Sequence, residues 1–239
     1  MCALTYAARQ WLLLRELPDT SSTSARHSPM AEPLNIVSGI AAPLPLENVD
    51  TDMIWPAVPG TTLKRGNQAW IAFNRLRFTP EGQEHPDFIL NREPWRHAKI
   101  LIAGDNFGCG SSREMAVWAL HEWGLRCIIA PRFGDIFYNN CCLNGLLPVR
   151  LDVPLVQRLM ALASNPASAA MTVDLRRCVV AAGGEEHCFA IEPRARRGLM
   201  EGLDAIGLTL AAKDRIAAFG ATYLAERPWM AIPAHGADT

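Results

Sequence analysis

The sequence predicts an α/β domain built on a central, mostly parallel sheet. Three short apolar runs have the length and composition of buried strands, and segments with helical periodicity separate them: residues 99–103, 126–130 and 146–151. Strand, helix, strand, helix, strand in this order gives parallel pairing through right-handed crossovers. Further on, residues 171–181 and 186–191 flank Ala182-Gly-Gly184 and predict a β-hairpin. The sheet is therefore expected to be flanked by helices and extended by this C-terminal hairpin.

The segments before the central unit are predicted to be a strand and a series of loops. A first strand is expected at residues 35–40, followed by a proline-containing loop at residues 42–47. In the acidic segment 48–55, Asp50 and Asp52 would share one side of an extended chain. A turn rich in Asp and Asn is the commoner structure for such a composition. Residues 57–68 form a charged loop, and residues 70–77 a short helix.

The later helices are predicted from apolar spacing and from their end signals. Asp152 is placed to cap one of them, and Gly145 lies just beyond the end of another. Residues 206–210 are expected to connect two helices rather than to form one. The expected helices are 135–143, 154–163, 194–203 and 212–227.

One domain is expected, at residues 30–228. Residues 1–29 differ from the rest in composition, and we expect a disordered or non-native extension there, with a flexible tail at 229–239. With 23 basic against 24 acidic residues, overall charge favours neither nucleic acid nor an anionic membrane. No apolar run approaches the length of a membrane span.

The cysteines and histidines give no pattern of a metal site within this chain. The seven cysteines form no Cys-x-x-Cys pair, and no two of the six histidines have His-x-x-x-His spacing on a helix. Their odd number and irregular spacing also argue against a disulfide framework. A reducing cytoplasm is the expected location.

The segment 105–120 carries the strongest signal of function. Gly108 and Gly110 lie in a predicted strand-to-helix turn, and Ser111 with Glu114 has the capping-box pattern. The start of a helix favours an anion, and Arg113 adds a planar guanidinium suited to a carboxylate. A cation in the first turn opposes the helix dipole, so a negative group is expected beside it. The alternative is structural, because glycine turns and capping serines are common in α/β proteins.

Several ordered motifs resemble the small subunit of 3-isopropylmalate dehydratase, the swivel domain of the aconitase superfamily. The matching pieces are Asn48-Val-Asp-Thr-Asp52, Asn106-Phe-Gly-Cys-Gly-Ser-Ser-Arg-Glu114, Ile129-Ala-Pro131, Asp135-Ile-Phe-Tyr138, Asn144 to Pro148 and Gly202-Leu-Asp-Ala-Ile-Gly-Leu-Thr-Leu210. The resemblance implies an aconitase-type swivelling β/β/α domain. It also implies a hydro-lyase that isomerises 2- and 3-isopropylmalate, a dicarboxylate, in leucine biosynthesis.

The same resemblance implies roles for particular residues. Ser111 would be the base that takes the carbon-bound proton, and Asp52 would approach it as a second catalytic residue. Arg113 and Ser112 would bind substrate, as would Arg65 in the loop that selects the substrate side chain. A [4Fe–4S] cluster would be carried by a separate large subunit, and this chain would bind none. The chain is therefore expected to be active only with that partner.

Other functions remain open on the sequence alone. Met115 and Val117 stand where the family commonly has His and Pro, and the loop at residues 57–68 is unlike that of a typical leucine-pathway member. A paralogous hydratase for citraconate, methylmalate or dimethylmalate is therefore an alternative. A nucleotide- or anion-binding module would use the same glycine turn, although the Lys-Ser/Thr ending of a P-loop is missing. A serine hydrolase would need a Gly-x-Ser-x-Gly elbow, which the segment lacks.

Overall fold

The computed structural model describes residues 32–57, 64–110 and 113–230. Within these ranges the chain forms one seven-stranded mixed sheet with the order β4-β3-β2-β1-β5-β6-β7. The strands are β1 (Ile36–Leu44), β2 (Ile100–Ala103), β3 (Cys127–Ala130), β4 (Leu147–Arg150), β5 (Ala170–Asp174), β6 (Val179–Ala182) and β7 (Glu185–Cys188). The α-helices are α1 (Thr51–Ile54), α2 (Asn74–Arg77), α3 (Glu114–Trp123), α4 (Asp135–Leu143), α5 (Val153–Ala163), α6 (Pro193–Glu201), α7 (Ala205–Leu210) and α8 (Lys213–Glu226). Short 3₁₀ turns occupy Ala69–Ile71, Ile89–Asn91, Trp95–His97 and Pro228–Met230.

The parallel half of the sheet is the predicted strand–helix series. β2 pairs with β3, and β3 with β4, in parallel register. Alternate residues of β2 enter opposite cores: Ile100 and Ile102 join the core with α5, whereas Leu101 and Ala103 join the core with α3 and α4. The prediction that this strand is buried on both faces is confirmed.

β1 joins the parallel and antiparallel halves of the sheet. Its first part, residues 36–40, pairs antiparallel with β5, and its second part, residues 41–44, pairs parallel with β2. The predicted loop from residue 42 is therefore wrong in its first part, because the strand continues through Pro43. This proline is tolerated because β5 pairs only as far as Ile40, so no ladder on that side requires its missing N–H.

The predicted C-terminal hairpin is confirmed, with different bounds. β6 and β7 are joined by Gly183 and Gly184, which have φ of 59° and 83°, as a tight two-residue turn requires. The single strand expected at residues 171–181 is instead two strands, β5 and β6, with a turn between them that includes Cys178 at φ 55°. Residues 206–210, expected as a connection, belong to helix α7 (Ala205–Leu210), which Asp204 caps by accepting the Gly207 N–H at 2.6 Å.

The structure differs from the predictions at two more places before the central unit. The segment at Asp50–Asp52 is neither extended throughout nor only a turn, the commoner structure for its composition: Asp50 is extended, accepts a hydrogen bond from Met53 N–H at 2.7 Å and starts helix α1. The helix predicted at residues 70–77 is interrupted at Phe73. This buried residue has φ of 54° and donates its N–H to Ile54 C=O at 2.8 Å, so the chain forms a 3₁₀ turn before it and α2 after it.

Several predictions fall outside the described residues. These are the N-terminal extension, residues 58–63 of the charged loop, Ser111 and Ser112, and the tail from residue 231. The domain limits at residues 30 and 228 remain predictions. In the described ranges, no helix combines the length and the apolar content that crossing a lipid bilayer requires.

Candidate functional site

The glycine-rich loop after β2 is held against the segment that leads into α1. Gly108 N–H donates to Val49 C=O at 2.7 Å, and Thr51 N–H donates to Cys109 C=O at 3.2 Å. These bonds place residues 49–51 beside residues 108–109 in a short parallel bridge. Two motifs that are distant in sequence are therefore fixed side by side by their backbones.

The loop also packs so closely on the start of α4 that two positions need glycine. A Cβ on Gly108, which has φ of +71°, would lie 2.2 Å from Cγ of the Phe137 ring. A Cβ on Gly134 would lie 2.4 Å from the Gly108 carbonyl oxygen. Real Cβ atoms do not approach this closely, so glycine at both positions allows the loop to contact the helix.

Arg113 forms an ion pair with Asp52. Arg113 Nη1 contacts Asp52 Oδ1, and the two side chains are 31% and 54% exposed. The negative group expected beside Arg113 is thus Asp52. Arg113 itself is the N-cap residue of α3, with extended backbone at φ −115° and ψ 100°, so it does not lie in the first helical turn as predicted. The prediction that Ser111 caps this helix is therefore wrong, because the helix begins at Glu114, three residues later; Ser111 itself lies outside the described residues.

A pocket of about 240 Å³ lies at this junction. Its lining combines the glycine loop, the Arg113 side chain and the first turn of α4: Thr51, Gly108, Gly110, Arg113, Gly134, Asp135, Ile136, Phe137 and Asn140. The N-cap residue of α4, Gly134, makes no side-chain cap hydrogen bond. The N–H groups of that first turn and the positive end of the helix dipole line the pocket together with Arg113, which favours an anion such as a carboxylate, while the Asp135 carboxylate in the same turn acts in the opposite direction.

Arg65 does not line this pocket, but it contacts the residue that follows Arg113. Arg65 Nη2 lies 3.8 Å from Glu114 Oε1, and its guanidinium carbon lies 4.8 Å from the centre of the Trp118 ring. Arg65 Nη2 also donates to Asn144 Oδ1. Asn144 is buried at the C-terminal end of α4, so Arg65 is held by residues of both α3 and α4.

The loop that contains Arg65 is fastened to the last turns of α3. Glu122 Oε1 accepts the Gly66 N–H at 2.8 Å, and its other oxygen accepts the Gln68 N–H. The buried Gln68 amide accepts the Trp55 indole N–H at 2.8 Å and donates to Lys64 C=O at 2.6 Å. These contacts attach residues 64–68 to the helix whose start carries Arg113.

The described residues offer no metal site, and the adjacent thiols of Cys141 and Cys142 are unreactive. No group of three His, Cys, Asp or Glu side chains within them is placed to hold a metal ion. Burial raises the pKa of the Cys142 thiol to about 12 and raises the pKa of Cys141 well above its ordinary value. Both groups are therefore protonated at neutral pH and poor nucleophiles.

Among the residues predicted to form the site, the structure brings Asp52 and Arg113 into contact. It places Arg65 against Glu114, the residue that follows Arg113. Ser111 and Ser112 lie outside the described residues, so their predicted roles stay predictions. Sequence reasoning missed Trp118 and the buried amide of Asn144. The one signal was that Asn144 begins one of the segments that resemble the family, Asn144 to Pro148, and this marked the residue without indicating its contacts.

Comparison with known proteins agrees with the fold and assigns the family. Residues 31–154 match the Aconitase C-terminal domain family, and residues 206–232 match the C-terminal domain of the 3-isopropylmalate dehydratase small subunit. A crystal structure of 3-isopropylmalate dehydratase from Methanocaldococcus jannaschii is 23% identical, with a TM-score of 0.53 over 77% of this chain and 98% of that one. At this identity the likeness supports the fold.

Curated relatives are much closer in sequence. The 3-isopropylmalate dehydratase small subunit of Rhodospirillum centenum is 52% identical over 199 residues, which are 83% of this chain and 98% of the relative. The small subunit of Roseobacter denitrificans is 50% identical over 195 residues, 81% of this chain and 97% of the relative. The chain belongs to the 3-isopropylmalate dehydratase small subunit family, whose core is an aconitase-type C-terminal domain.

Proposed function

We propose that this chain is the small subunit of a two-chain hydro-lyase that interconverts 2-isopropylmalate and 3-isopropylmalate in leucine biosynthesis. The observation that carries the proposal is the 52% identity to a named small subunit across nearly its whole length. The pocket between the glycine loop and α4 supports it, because an arginine and a helix start there favour a carboxylate.

Arg113 would hold one carboxylate of the substrate. Its guanidinium carries five N–H donors in a planar fork, and the contact with Asp52 involves Nη1. Donors therefore remain for a two-pronged contact with a substrate carboxylate. Asp52 balances the cation before substrate arrives and holds its position. Arg65, which Asn144 and Glu114 hold, would face the other end of the dicarboxylate or its side chain.

Ser111 would take the proton from the substrate carbon, and the Ser112 hydroxyl would bind substrate. Both roles come from the family motif. The two serines lie in the sequence between Gly110 and Arg113, and both of these neighbours line the pocket. A serine alkoxide is a costly anion, and the neighbouring cation of Arg113 would lower the free energy of forming it.

The cofactor and the second subunit follow from the same family membership. The described residues contain no group of ligands for a metal ion, and relatives named as small subunits imply a larger partner. We propose that a [4Fe–4S] cluster belongs to that large subunit, where it would bind the substrate hydroxyl as a Lewis acid. This chain would supply the base and the carboxylate contacts, in the cytoplasm.

The two departures from the family pattern in α3, at positions 115 and 117, give little reason to favour a paralogous substrate. Val117 is fully buried in the core under α3, and Met115 packs against the same core. Neither residue lines the pocket. Isopropylmalate therefore remains the proposed substrate, ahead of citraconate or a methylated malate.

The test is reconstitution of the two subunits without oxygen, followed by assays with isopropylmalate, citraconate, methylmalate and dimethylmalate. The complex should prefer isopropylmalate, and the small chain alone should be inactive. Ser111→Ala should abolish turnover while the two subunits still co-purify. Turnover by the single chain, a clear preference for another acid, or a Ser111→Ala rate within a few-fold of the unmodified complex would each contradict the proposal.

A further inference from the structure

A single buried amide connects the Arg65 loop to helices α3 and α4. The Asn144 side chain donates through Nδ2 to Glu114 Oε1 at 3.0 Å and to Asn140 C=O at 2.8 Å. Its Oδ1 accepts the Trp118 indole N–H at 3.1 Å and also accepts from Arg65 Nη2. Asn144 itself is only 6% exposed, whereas the side chains of Arg65 and Glu114 that contact it are 43% and 46% exposed.

These four contacts use the whole hydrogen-bonding capacity of the amide and fix its orientation. An asparagine amide has two N–H donors and an oxygen with two lone pairs. Rotation of the amide by 180° would place its NH₂ against an indole N–H and a guanidinium, and its oxygen against a carboxylate and a carbonyl. All four contacts would then be repulsive, so only the observed orientation satisfies the neighbours.

The partners of Asn144 distinguish it from an ordinary structural asparagine. Asn91 is similarly buried, at 8% exposed, but its amide donates to the backbone carbonyls of Arg77 and His85 and accepts from Arg77 Nε at 3.2 Å, so it contacts neither of the two arginines assigned to substrate binding. Asn144 instead contacts the side chains of Arg65, Glu114 and Trp118. Glu114 immediately follows Arg113, so one amide links both arginines assigned to substrate binding.

We propose that Asn144 is a positioning residue that fixes Arg65 relative to Arg113, and thereby sets the affinity for the dicarboxylate. This inference rests on the proposed function. Trp118 supports the same arrangement, because its ring lies against the guanidinium of Arg65 while its indole N–H is held by Asn144. Without the amide, Arg65 would lose its buried acceptor, and the carboxylate of Glu114 would lose a donor.

The test compares KM and kcat for isopropylmalate in the reconstituted two-subunit enzyme. Asn144→Leu keeps the volume but removes every hydrogen bond, and it should raise KM about tenfold while kcat stays within about threefold. Asn144→Asp keeps the acceptor for Arg65 and Trp118, and its KM should rise less. If Asn144→Leu fails to fold, Asn144→Asp against the unmodified enzyme supplies the comparison, with a KM rise of about threefold expected.

Asn91→Leu is the matched control, because it removes an equally buried amide away from both arginines. It should lower thermal stability without changing KM. A coupling measurement then separates positioning from general damage: in an Arg65→Ala background, Asn144→Leu should have almost no further effect on KM. An unchanged KM in both Asn144 variants, or full additivity with Arg65→Ala, would overturn the inference.

A structural readout independent of turnover completes the test. In the ¹H–¹⁵N spectrum of the full chain, the indole N–H of Trp118 is assigned by its loss in Trp118→Phe. Asn144→Leu should shift this resonance and speed its exchange with water, whereas Asn91→Leu should leave it in place.

The failure of the proposed function and the failure of the positioning role give different results. An unmodified complex that is inactive on isopropylmalate would refute the proposed function. An active complex whose Asn144 variants have an unchanged KM would refute only the positioning role.

Discussion

The guanidinium of Arg113 pairs with the carboxylate of Asp52, which joins the residue just before α3 to the first turn of α1. The pair explains how a cation is accommodated at the start of a helix, where the dipole is unfavourable to positive charge. It also holds Arg113 at the edge of a pocket whose other side is the start of α4. A carboxylate entering that pocket would meet an arginine already placed by the protein.

Arg113→Lys is expected to weaken substrate binding more than it slows the reaction. Lysine keeps the charge but cannot make the two-pronged contact, a loss of about 1.5–3 kcal/mol. In the reconstituted enzyme KM should therefore rise by about 10- to 100-fold, with assembly of the two chains intact. Arg132→Lys is the control, because Arg132 also pairs with a carboxylate, that of Asp105, but is 72% exposed and lies outside the pocket. Equal KM values for both variants would contradict the role of Arg113.

Gly108→Ala should be far more damaging to stability than Gly110→Ala. Both glycines have positive φ, which costs a residue with a Cβ about 1–2 kcal/mol. At Gly108 the new Cβ would also collide with Phe137, whereas at Gly110 the nearest atom, Cβ of Asp50, is 3.6 Å away. The free energy of unfolding in urea should fall by at least about 3 kcal/mol for Gly108→Ala and by about 1–2 kcal/mol for Gly110→Ala. Similar losses in the two variants would show that the loop moves away from α4.

The parts of the fold that could be predicted are those whose signal is local. β2 and β3 are short apolar runs buried on both faces, and α5 begins at the predicted cap, where Asp152 accepts from Leu155 N–H. The start of α1 was missed although its cap is also local, because the same Asp-rich composition suits a turn as well as a helix. β1 was predicted too short for a different reason. Its continuation through Pro43 depends on which neighbours pair on each side, and that is a tertiary property.

In the candidate site, too, the features with a local signal could be predicted and the long-range contacts could not. The glycine loop and Arg113 were recognisable because their residues are adjacent in sequence. The contact of Arg113 with Asp52, and the junction of Arg65 with Asn144, join segments far apart in the chain. Spacing in a single sequence carries no signal for such contacts. The family motif placed Asp52 and Arg65 near the substrate, but not the side chains that hold them.

Acid should destabilise the fold in part through His121, in the last turn of α3. Burial lowers the pKa of its ring to about 4, and the nearby charges of Arg126 and Arg65 act in the same direction. Between the ordinary pKa of about 6.5 and this value, the unfolded chain binds a proton that the native chain does not. The free energy of unfolding should therefore fall as pH drops from about 6.5 to 4, with no further contribution from His121 below that range.

His121→Gln should remove that component of the pH dependence. Urea midpoints at several pH values between 7.5 and 4 would be compared with those of the unmodified chain, and the two curves should converge as pH falls. His97→Gln is the control, because the His97 ring is 77% exposed and lies outside the core. If the stability of His121→Gln changed with pH in parallel with that of the unmodified chain across this range, the assigned role of the part-buried imidazole would be wrong.

Removal of helix α8 should leave the rest of the fold almost unchanged. The apolar pattern predicted this helix, yet in the structure none of its residues is buried, and Phe219 is 68% exposed. A helix of this length has little stability of its own in water, so it contributes little to the unfolding free energy of the domain. A chain ending at residue 211 should keep its thermal midpoint within about 2 °C. A chain ending at residue 192 is the contrast, because it loses α6, whose Leu199 is buried and accepts the Leu34 N–H at 2.9 Å. The free energy of unfolding of that shorter chain should fall by several kcal/mol, about the cost of removing a buried leucine and its neighbours. Equal thermal midpoints for the two truncated chains would show that α6 packs as loosely as α8.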